Sequence, residues 1–163
     1  MKKEKSLDEF LHKVESMKKD GGVDLTSAED LSIAVMNLIS LEEHFFFTGM
    51  KTQKDEYLDT SGEIREIRKE LLKKLMPNHE GETWCISKHL LAAVMRLIEV
   101  GTKLRSEGRG NDARDMFEKA YRVYAIFWAL KLQLISAEKI QKTAHTSSPF
   151  EELVNKLANC CDE

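Results

Sequence analysis

The sequence predicts an all-α fold, an antiparallel bundle of five to six helices forming one domain over residues 1–163. Three observations carry that expectation. Apolar residues recur at three- and four-residue steps through every long segment, which is the spacing of one helix face. No stretch shows the sustained alternation of a half-buried strand. Short polar connections separate the periodic segments, and short connections make neighbouring helices antiparallel. A chain of 163 residues buries most of its apolar surface without disulfides or metal.

The first expected helix covers residues 6–19, with Leu7, Phe10, Leu11, Val14 and Met17 on one side. Asp20-Gly21-Gly22 ends it, because glycine loses more backbone freedom in a helix than any other residue. The second covers residues 27–50, and Thr26 and Glu29 are spaced as a capping box. Its stripe is Leu31, Ala34, Val35, Leu38, Leu41, Phe45 and Phe46, so that Phe47, the last of three consecutive rings, points away. The third covers residues 55–76, aligning Tyr57, Ile64, Ile67, Leu71 and Leu75, with Gly62 as a weak point and Pro77-Asn78 as its stop. The fourth covers residues 84–106, with Thr83 as N-cap and Leu90, Leu91, Val94, Leu97, Ile98, Gly101 and Leu104 inward. The fifth starts near Asn111 and reaches Lys139, presenting Ala113, Phe117, Ala120, Tyr121, Tyr124 and Trp128. The last is opened by Ser148-Pro149-Phe150-Glu151, a capping box with proline at the first helical position. It carries Phe150, Leu153, Val154 and Leu157. The terminal segments, residues 1–22 and 146–163, are expected to be peripheral to the bundle.

Composition narrows the function classes. The charges are mixed, with a net charge of -3 and a pI of about 6.0, which argues against a dedicated nucleic-acid binder. The longest wholly apolar run, Val123 to Leu130, is too short to span a bilayer, and the basic N-terminus lacks the apolar core of a secretory signal. Cys85, Cys160 and Cys161 form no CxxC, so neither a disulfide framework nor a zinc knot is expected. The expected setting is a reducing cytoplasm. No metal and no cofactor is expected. Only Glu9-Phe10-Leu11-His12 has the Glu-x-x-His spacing, there is no HExxH, and Gly108-Arg109-Gly110 reads as a tight connector.

Gly101, Leu104, Gly108, Ala113, Phe117 and Ala120 have the spacing of a helical hairpin in which small residues let two helices approach and an aromatic ring fills the gap. In these positions, about residues 94–127, the chain resembles one tetratricopeptide repeat. It departs from that family at Leu97, where tryptophan is usual, at Leu104, where tyrosine is usual, and at Ala125, where a closing proline is common. The resemblance implies a peptide-binding groove faced by Met95, Ile98, Thr102 and Arg105.

Three further constellations are candidates for function. Glu42 falls inside the apolar stripe of its helix and Arg68 inside the stripe of the next, and buried charges are rare unless paired. An antiparallel hairpin places Glu42 near Arg65 or Arg68, as a structural ion pair or as the floor of a polar ligand pocket. Cys85 and His89 lie one turn apart with Arg96, Glu99 and Lys103, on the face opposite the core stripe. Cys85 and His89 are candidates for catalysis, as a thiol near a helix N-terminus beside a base, against the plainer reading of a solvated face. Finally, residues 123–130 are apolar on nearly every side, so either this is a central helix or its outer face, Val123, Ile126 and Leu130, meets another protein. The expected function is therefore a non-catalytic helical module for protein–protein association, a homodimer or a complex with another protein. A small-ligand binder or enzyme built on Glu42, Arg65 and Arg68 is the alternative.

Overall fold

The computed structural model describes residues 25–77 and 82–135, and these form four helices with no strand. They are α1 (Leu25–Thr52), α2 (Glu56–Leu75), α3 (Thr83–Ser106) and α4 (Gly110–Lys131). The helices expected over residues 6–19 and from Phe150 onward lie outside the described residues. None of the four is long and apolar enough to cross a membrane.

The helix ends follow local chemistry. α2 stops at Met76, whose N–H bonds the carbonyl of Leu72 at 2.8 Å, just before Pro77. α3 ends in a Schellman turn. Gly108 adopts φ +78°, its N–H donates to Arg105, and the N–H of Arg109 reaches back to Leu104. α4 ends the same way around Gln133 at φ +54°, with Gln133 bonded to Leu130 and Leu134 to Ala129. That turn stops α4 at Lys131, short of the expected Lys139. A left-handed glutamine gives no warning in a sequence, unlike glycine. Two caps also differ from expectation. Thr26 is already inside α1, and Glu82, not Thr83, precedes α3.

α1 pairs with α2 and α3 with α4 along their lengths, while α1 makes a shorter contact with α3. The α3–α4 pair is held close at Gly101, where an added Cβ would sit 2.5 Å from the Phe117 ring. The two hairpins share one core, and it occupies only one end of the molecule. Its buried members are Ala28, Val35 and Met36 of α1, Leu72 and Leu75 of α2 with the following Met76, Leu91 and Val94 of α3, and Phe127 of α4. These are the N-terminal halves of α1 and α3 and the C-terminal halves of α2 and α4. Phe127 stacks on Tyr124 and meets Trp128 edge-on, and the Tyr124 hydroxyl bonds Ser32 Oγ at 2.7 Å. Each fully buried large side chain contributes about 1.5–3 kcal/mol. At this closed end Lys131 Nζ donates to the terminal carbonyl of α2, Leu75 O, at 2.6 Å. The cation is well placed at a helix C-terminus, while burial pushes its pKa below the usual 10.5.

Several expected inward residues face solvent instead. Ile67, Ile98 and Tyr121 are exposed, because each lies beyond the closed end or on the side away from the partner helix.

Candidate functional site

The opposite end of the molecule is open. On α1, Ala28, Val35, Ile39, Phe46 and Met50 follow one another at steps of four and seven, so they share one stripe. The first three enter the core or pack against it. Phe46 and Met50 continue the same stripe but are 50% and 59% exposed. On α3, Leu91 and Met95 belong to the core, and Ile98, Thr102 and Arg105 continue their stripe into solvent, Ile98 at 40%. The inner faces of both hairpins therefore extend past the end of their shared core. α1 and α3 together line an open cleft in this part of the molecule, and Phe46 and Met50 are not among the residues that line its cavity.

A cavity of about 320 Å³ opens along one side of this cleft. Ser40, Glu43, His44, Phe47, Thr48 and Lys51 line it from α1, and Arg96 and Glu99 from α3. Arg96 spans it, donating to Glu43 Oε2 at 2.5 Å and to Glu99 Oε2 at 2.6 Å. Lys51 lines the cavity, Lys103 and Arg105 follow later on α3, and none of the three has a carboxylate partner among the described residues. Within the cavity lining Glu43 and Glu99 balance Arg96 and Lys51, and Lys103 and Arg105 add positive charge further along α3. Phe47 is 52% exposed and lies edge-on to Phe46, so two rings of the triplet are turned to water and not one. Only Phe45 is tucked in, stacked on Tyr57 of α2.

Glu42, one residue before Glu43, faces α2. Arg68 Nε donates to its Oε1 at 2.8 Å and Arg65 Nε to its Oε2 at 3.2 Å. The Ser61 hydroxyl donates to its backbone carbonyl at 3.4 Å. The Arg68 side chain is only 2% exposed, against 55% for Arg65. The structure thus brings together all three charged residues singled out in the sequence. Both carboxylate oxygens are taken up by guanidinium groups, and neither this cavity nor the hollow on α4 described next is lined by them.

The remaining candidates are placed as follows. Cys85 is buried, a correction to the solvated face expected for it, while His89 is exposed. Helical phase sets Cys85 opposite the stripe of Leu91 and Val94, yet it is 3% exposed, so the first turn of α3 is covered on that side as well. Val123 is half-buried against the core, Leu130 is fully interior, and only Ile126, 38% exposed, is left of the expected outer face. That face is corrected because α4 turns Leu130 inward near the Lys131 contact to α2. A shallow hollow on α4 is lined by Arg114, Phe117, Glu118, Tyr121 and Arg122, with Arg114 bonded to Glu118 at 3.1 Å. Among the described residues, no group of three or more His, Cys, Asp or Glu side chains is arranged to hold a metal ion.

Sequence reasoning missed the cleft as a unit. The signal available was Met50, which continues the α1 stripe beyond Phe46, together with the groove positions of the hairpin resemblance. Compared with known proteins, the chain matches no family model, no curated protein and no solved structure.

Proposed function

We propose that this protein is a non-catalytic helical interaction module that receives an acidic amphipathic helix in the cleft between its two hairpins. One observation carries the reading: the core-facing stripe of α1 runs on into solvent at Phe46 and Met50. Apolar side chains in register with a core, but uncovered, gain free energy from any apolar face that completes the packing. The cleft walls are helices, and a third helix laid between them is a common way to fill such a groove. Lys51, Lys103 and Arg105 favour acid on the incoming helix and orient it. The homodimer expected through α4 has Ile126 as its only exposed member, so association is assigned to the cleft instead.

A fluorescent, Leu- and Glu-rich helical peptide tests this by anisotropy. It is expected to bind saturably, more weakly at high salt, and at least tenfold more weakly to the Met50→Glu protein. Equal affinity for the two proteins, or no saturable binding, contradicts the reading. Circular dichroism of the variant confirms that the helices are intact.

A further inference from the structure

We propose that the cavity between α1 and α3 is a binding site for a small aromatic carboxylate. The inference stands apart from the helix reading, because it uses only residues that line the cavity, and Lys51 alone is common to both. The ligand's charged end follows by subtraction. Both carboxylates of the lining are engaged, since Arg96 donates to Glu43 Oε2 at 2.5 Å and to Glu99 Oε2 at 2.6 Å. The groups left over are donors. The Lys51 ammonium, the His44 imidazole and the Thr48 hydroxyl have no hydrogen-bond partner among the described residues. They lie at i, i+4 and i+7 on α1, so His44 and Lys51 stand one turn to either side of Thr48 on one face. A carboxylate placed over Thr48 can take a hydrogen bond from each. Arg96, in the wall formed by α3, keeps further N–H groups for the same oxygens.

Charge and shape narrow the class further. Glu43 and Glu99 balance Arg96 and Lys51, so the lining carries no excess positive charge to hold a polyanion. One negative charge is what the unpaired Lys51 can neutralise. Phe47 selects the body of the ligand. Its half-exposed ring lines the same cavity beside Thr48, and an aromatic ring packs well against a flat apolar partner, offset-stacked or edge-on. The cavity volume, about 320 Å³, falls at the small end of ligand pockets and suits an acid of one or two rings.

Titration of 2-naphthoate and its neutral isostere 2-naphthamide into the full chain, followed by calorimetry, tests the proposal. Naphthoate is expected to saturate one site with a Kd below about 1 mM, and the amide to bind at least tenfold more weakly. Two substitutions of exposed side chains then move the naphthoate affinity in opposite directions. Lys51→Gln, which removes the unpaired cation, is expected to weaken binding at least fivefold. Glu99→Gln, which removes a carboxylate and releases an N–H of Arg96, is expected to tighten it at least twofold. A purely structural role for Glu99 predicts no such gain. Equal affinity for acid and amide, no saturation, no loss in Lys51→Gln, or no gain in Glu99→Gln overturns the assignment. None of these results touches the helix reading, which is scored separately by the loss of peptide binding in Met50→Glu.

Discussion

Glu42 and Glu43 are adjacent in the chain, yet each ties α1 to a different helix. Glu42 is held by Arg68 and Arg65 of α2, and Glu43 by Arg96 of α3. Successive helix positions are 100° apart, so two neighbouring carboxylates can serve two neighbours of one central helix. The pairs differ in weight. The Glu43–Arg96 pair is about half exposed and screened by water and salt, so it orients more than it stabilises. The Glu42–Arg68 pair is nearly dry, and removing one partner strands a charge. Glu42→Leu alone is therefore expected to cost about 3–5 kcal/mol. Glu42→Leu combined with Arg68→Met should recover most of that loss. Urea midpoints of the single and double variants check both values. A single variant as stable as wild type would show that the pair carries no such burden. Both residues were legible in the sequence because each is a charge inside an apolar stripe. Cys85 and Leu130 are buried although each lies off the main stripe of its helix, because cover near a helix end is set by tertiary packing and not by the stripe.

At the scale of elements, the pairing of α3 with α4 depends on Gly101. The ring of Phe117 lies where a Cβ would project, so the two helices approach through the missing side chain. Gly101→Ala is expected to destabilise the protein by about 1–3 kcal/mol, the usual cost of forcing extra volume into a packed contact. Its effect should shrink in a Phe117→Leu background, and thermal or urea unfolding of the four proteins in the cycle measures that coupling. Additive losses would mean that the ring is not what the methyl meets. Three of the four described helices begin and end within a few residues of expectation, as periodicity and the Pro77 stop allow. The exception is the end of α4, where Gln133 takes a left-handed conformation that no composition rule foresees.

The whole molecule is closed at one end and open at the other. Nothing in the helical periods alone reveals this, because each stripe looks like an ordinary core face from Ala28 through Met50. Whether a stripe finds cover depends on where the two hairpins part, which is a property of tertiary packing. The division is nonetheless visible in the methionines. Met36 and Met76 are buried at the closed end, whereas Met50 is exposed near the C-terminus of α1. Methyl-labelled methionine therefore reads both ends in one spectrum. Titrating the acidic helical peptide into the full chain is expected to shift the Met50 resonance while leaving Met36 and Met76 in place. Shifts confined to Met36 and Met76, or a Met50 signal unmoved at saturating peptide, would contradict the open cleft as the working face of this protein.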